Sequence, residues 1–190
     1  MKLRIRDKWN NRRNATLEEN ANVLAYNIWQ LALAGAKNLH AEEFDYTNDK
    51  QRVGVIREYL MFLVHIADRL AYPRLNDEER GRFVTRLAQD TARQLQRNQE
   101  QVMGSGDYKS PYIDDLNTRM ATYAKGSFDG DKLGYSLLRN FGEKVQAVMG
   151  SDQTNRWVID QVMEIDALDA VENTAKTLNN LLPPVDESAA

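Results

Sequence analysis

The stretch from Asn48 to Tyr72 constrains this chain most. Its helix has to stop before Pro73, because proline disfavours helical geometry in the residue that precedes it. At about 100° per residue, Val53, Ile56, Tyr59, Leu60, Leu63, Val64, Ile66, Ala67 and Leu70 cover about half the circumference. A surface helix hides a narrower stripe, so one this broad needs neighbours on more than one side, and a bundle has to form around it. The remaining sector carries Arg57, Glu58, His65, Asp68 and Arg69 mixed with Met61, Phe62 and Tyr72. The longest purely apolar run, Tyr59 to Val64, falls far short of the roughly 18 residues needed to span a bilayer.

The other segments read as helices too. Thr16-Leu17-Glu18-Glu19 is a capping box opening a helix to about Leu39, with Leu17, Ala21, Leu24, Ile28, Leu31 and Ala32 on one face. His40 to Thr47 connects it to the central helix, with Phe44 and Tyr46 expected to tuck against the bundle. Asn76 and the acids after it cap a third helix to about Val102, whose core stripe is Val84, Leu87, Thr91, Leu95 and Val102, marking it as peripheral. Ser110-Pro111 starts a fourth, to about Lys125, and a fifth runs from about Asp131 to Met149 despite Gly134 and Gly142, which would allow a neighbouring helix to come close. The sixth runs from about Asp152 to Leu182, with Ile165, Leu168, Ala175, Leu178 and Leu182 as an apolar stripe, until Pro183-Pro184. It is long enough that it has to bend or project. Only Met1 to Arg6 alternates as a strand would. The expected fold is therefore all-α: about six helices in a single irregular bundle with a long C-terminal helix. Residues 1–15 form a basic N-terminal arm, 16–182 the bundle domain and 183–190 a tail.

Composition narrows the chemistry. With no cysteine there is no disulfide, thiol catalysis or thiolate metal site, and two histidines are too few for a His-rich metal centre. No phosphate-binding glycine loop, nucleophile elbow or paired His-Glu metalloprotease motif occurs. The net charge of −3 does not mark the whole chain as a nucleic-acid binder, and no export signal follows the basic start, so a cytoplasmic protein is expected.

Three features stand out from this background. On the central helix Glu58, His65 and Arg69 lie along one line, with Asp68 a turn beyond His65. A His followed three residues later by a carboxylate is half of what a helical dimetal site supplies, with His40, Glu164 and Asp166 as possible further donors. The plainer reading of Glu58, His65, Asp68 and Arg69 is a buried polar network joining helices. On the third helix Arg82, Arg86, Arg93 and Arg97, with Asp90 in the gap, share one face opposite the core stripe; they could grip an anion, or pair internally with Asp90. Residues 1–14 carry six basic side chains against one acid, a local charge of +5, while residues 151–190 carry eight acids against two bases. Such an arm can reach a polyanion or pair with the acidic end of its own or a neighbouring chain.

The favoured expectation is a non-enzymatic α-helical protein that acts by binding a protein partner or itself, as a homo-oligomer such as a homodimer. No cofactor or metal is expected. A small-molecule- or metal-dependent helical enzyme centred on His65 is the first alternative, and nucleic-acid binding through the arm and the arginine face is the second.

Overall fold

Thr16 opens the first helix as its sequence requires. In the computed structural model, which describes residues 15–129, 132–150 and 155–182, the Thr16 hydroxyl accepts from the Glu19 amide and the Glu19 carboxylate accepts from the Thr16 amide, starting α1, Leu17–Ala41. Asn48 caps α2, Asp49–Ala71, and an Asn76–Glu79 capping box opens α3, Asp77–Met103. The fold is all-α. The basic arm up to Asn14, the tail 183–190 and the expected start of the sixth helix at about Asp152 lie outside the described residues.

α2 is the centre of the bundle. It contacts α1, α3, α4 (Lys109–Tyr123), α5 (Tyr135–Met149) and α7 (Ala167–Leu181). Every residue from Glu58 to Ala67 is buried, so even Glu58, Met61, Phe62 and His65, which periodicity assigns to the polar sector, lie inside. The breadth of the apolar sector foretold the central position, and five packed neighbours bury the rest of the circumference. Phe44 is buried and the Tyr46 hydroxyl donates to the Ala36 carbonyl, so the α1–α2 connection tucks in as expected.

α3 departs from its expected stripe. Val102 is exposed, and Asp90 points into the contact with α1 rather than away from the core. α3 packs on α1, α2 and α4, so it is less peripheral than a narrow stripe implies. α4 starts two residues before Pro111, because the Gln96 side-chain carbonyl accepts from the Tyr108 and Lys109 amides and the Asp107 carboxylate from that of Ser110. These acceptors do what a Ser110 cap would have done.

α5 begins at Tyr135 rather than Asp131, since Phe128–Asp129 (β1) and Lys132–Leu133 (β2) pair as a two-residue antiparallel ladder. Gly134 therefore precedes the helix instead of interrupting it. Gly142 does serve close approach: a Cβ there would stand 3.1 Å from the Ile159 side chain and 3.2 Å from its carbonyl oxygen.

The C-terminal helix follows a 3-10 turn, Asn155–Trp157, and has three parts: α6 (Val158–Gln161), a π turn (Val162–Asp166) and α7. Buried Val158, Val162, Asp166, Ala170, Thr174 and Leu178 recur every fourth residue. An unbroken α-helix would carry such a series round by about 40° per step. The extra residue of the π turn takes back roughly 100° of that drift and keeps the series facing inward. The expected stripe is corrected in its centre. The small residues Ala167, Ala170 and Thr174, with Val171 and Leu178, let α7 lie close to α1 and α2, which leaves Ile165 and Leu168 outside. The end of the helix does not project: Arg74 donates to the Leu182 carbonyl at 2.7 Å and Asn20 to that of Leu181 at 3.1 Å.

Candidate functional sites

α2 carries Glu58 and His65 into the α4 side of the bundle. There Glu58, 6% exposed, accepts two hydrogen bonds from Arg119 of α4, 2.9 Å from Nε and 2.7 Å from Nη2. A planar guanidinium on a carboxylate in this two-point geometry compensates much of the cost of burying the charge. One turn along α4, Tyr123 lies against His65 with ring centroids 5.6 Å apart, and Tyr123 also meets Phe62 edge-on. His65 is 2% exposed. Burial first, and the nearby Arg69 charge second, lower its pKa to about 4, so the imidazole is neutral at physiological pH. Neither His65 Nδ1 nor the Tyr123 hydroxyl has a hydrogen-bond partner among the described residues.

The four sequence candidates do not converge on one space. Glu58 turns to α4, whereas Asp68 turns to Arg80 at the start of α3, 3.4 Å away, and burial raises its pKa against the pull of Arg80 and Arg69. Arg69 acts on both His65 and Asp68 through its charge. The further donors imagined for a metal lie elsewhere: His40 stacks on Tyr46 at the end of α1, and Glu164 is exposed. Asp166 accepts from the Tyr59 hydroxyl at 3.3 Å and is also bonded by Asn38 and Gln161. Burial lifts Asp166 to about 6. No group of three metal-ligating side chains forms among the described residues. Sequence reasoning missed Arg119, whose only signal was its place on a short helix, and read Tyr123 only as a buried residue of that helix, which it is.

On α3 the arginines meet acids. Arg82 pairs with Glu18 of α1 at 2.5 Å, and Arg86 and Arg93 both pair with Asp90, which is 2% exposed and also accepts from Asn22 at 3.0 Å. Arg97 is exposed and pairs with no described residue. Three of the four arginines on this face thus have a carboxylate partner, two of them sharing Asp90, and Asp90 fastens α3 to α1.

Two further surfaces bear on function. A pocket of about 760 Å³ opens between α1, α2 and the end of α3, with Leu33, Val53 and Ile56 in its wall and Lys37, His40 and Arg52 at its edge; His65 is not part of it. The second is the outer side of the C-terminal helix. Trp157, Ile165 and Leu168 are 57%, 50% and 45% exposed, and the Arg156 guanidinium covers one face of the indole. Exposed Asp160, Glu164, Asp169 and Glu172 flank them, of which only Glu172 has an ion-pair partner, Lys176, among the described residues. No described helix is long and apolar enough to cross a membrane. Compared with protein-family models, curated proteins and solved structures, the chain matches none.

Proposed function

We propose that this chain is a non-catalytic helical protein that works by binding protein through the outer face of its C-terminal helix, and that a second copy of itself is its first partner. One observation carries the reading: Trp157 at the end of the 3-10 turn, and Ile165 and Leu168 on the helix that follows it, are 57%, 50% and 45% exposed. Large apolar side chains grouped on a surface mark association sites, whereas single ones are ordinary. Glu58 is engaged with Arg119 and Asp166 with Tyr59, and His65, though its Nδ1 has no partner among the described residues, is 2% exposed, which together favour a structural role for these groups over an enzymatic one. Pairing of Arg82, Arg86 and Arg93 with carboxylates likewise lowers the support for a nucleic-acid interface on α3.

Sedimentation velocity over a hundredfold range of concentration tests the reading. The wild-type chain is expected to shift from monomer towards dimer, and Ile165→Glu with Leu168→Glu to hold it monomeric with an unchanged helical spectrum. A wild-type chain that stays monomeric throughout, or a double variant that dimerises equally well, would defeat it.

A further inference from the structure

The charge on this face says what can cover it. A two-fold contact of the face with itself would bring Asp160, Glu164 and Asp169 of one copy against the same acidic set of the other, and like charges at an interface oppose association. The covering element has to be basic and to carry apolar side chains. Within this chain residues 1–14 fit: their charge is +5, and Leu3, Ile5 and Trp9 are interspersed among the basic residues. Resting on the self-association reading above, we infer that residues 1–14 of one copy dock on the outer face of the C-terminal helix of a second copy, and that two such reciprocal contacts close a symmetric dimer.

The placement of the chain's beginning puts residues 1–14 within reach of such a face. The hydrogen bond from Asn20 to the Leu181 carbonyl sets the start of α1 beside the end of the C-terminal helix. Leu168 lies about 20 Å back along that helix at about 1.5 Å per residue. Fourteen residues extend to about 46 Å at about 3.3 Å each, long enough to leave one copy and cover the acidic stripe of the next. The arm's cations would meet Asp160, Glu164 and Asp169, and its apolar side chains would meet Trp157, Ile165 and Leu168.

Charge reversal in the full-length chain tests the docking. An arm-reversed chain carries Arg4→Glu, Arg6→Glu and Lys8→Glu; a face-reversed chain carries Asp160→Lys, Glu164→Lys and Asp169→Lys at exposed positions. Each alone is expected to weaken dimerisation at least thirtyfold in sedimentation velocity while keeping its helical spectrum and melting temperature. Mixed in equal amounts, they are expected to form a heterodimer, since both reversed contacts are then complementary across copies. Dimerisation of the arm-reversed chain at wild-type strength would overturn the arm as occupant and leave self-association standing. Weak single variants whose mixture stays monomeric would overturn exchange between copies. A wild-type chain that is monomeric at every concentration would overturn the self-association reading, and the arm docking with it.

Discussion

Arg119 holds Glu58 from a neighbouring helix by two hydrogen bonds of 2.7 and 2.9 Å, with the carboxylate almost wholly out of water. The pair ties α4 to the central helix beside His65 and Tyr123, and the neighbouring Arg57 adds hydrogen bonds to the Pro111 carbonyl and the Asp115 carboxylate of α4, each 2.6 Å. Removing one partner strands the other, and an uncompensated buried charge costs far more than a lost surface pair.

Arg119→Leu and Glu58→Leu, each alone, are accordingly expected to lower stability by about 3 kcal/mol, read as a lower urea midpoint. Replacing both members, Glu58→Leu with Arg119→Leu, should recover most of that loss because no charge is left unpaired. Additive losses in this double-mutant cycle would show that the two side chains do not act as a pair.

Acid should expose two buried groups that pull in opposite directions. His65 titrates near 4 in the folded chain and near 6.5 when unfolded. The unfolded chain therefore takes up that proton first, and the stability this group contributes above pH 6.5 is lost as pH falls towards 4, by about 3 kcal/mol. Asp166 titrates near 6 when folded and near 3.9 when unfolded. Its contribution is whole below the unfolded value and is lost as pH rises through 6, again about 3 kcal/mol. Measured against wild type between pH 7 and pH 4.5, His65→Leu should gain relative stability in acid and Asp166→Asn should lose it. Parallel profiles for wild type and both variants would mean that neither group is perturbed by burial.

Two glycines on helices should respond oppositely to the same methyl group. A Cβ at Gly35 would stand 2.5 Å from the Tyr59 ring, and Tyr59 cannot yield easily because its ring packs edge-on against Phe141 and its hydroxyl bonds Asp166. Gly35→Ala should cost about 1 to 3 kcal/mol despite its better helix propensity. At Gly81, in the first turns of α3, nothing lies within 4 Å of the added atom, so Gly81→Ala should stabilise by about 0.5 to 1 kcal/mol. Thermal melts of the two variants moving in the same direction would contradict the packing at Gly35.

Local pattern in the sequence determined the class of fold, the two capping boxes at Thr16 and Asn76, and the central place of α2, because caps act over three residues and apolar breadth counts a helix's neighbours. It also contained the plainer reading of Glu58 and Asp90 as structural polar groups, but not their partners. Whether Glu58 met Arg119, whether Asp166 met Tyr59 instead of His65, and which side of the C-terminal helix faced out depended on how six helices turn about their own axes as they pack. That rotation is set by side-chain volume at the contacts. Small Ala167, Ala170 and Thr174 drew α7 inward and the π turn kept their row in line, while the larger Ile165 and Leu168 were left on the surface. Periodicity gives the spacing of a stripe; only the packed structure decides where its centre lies.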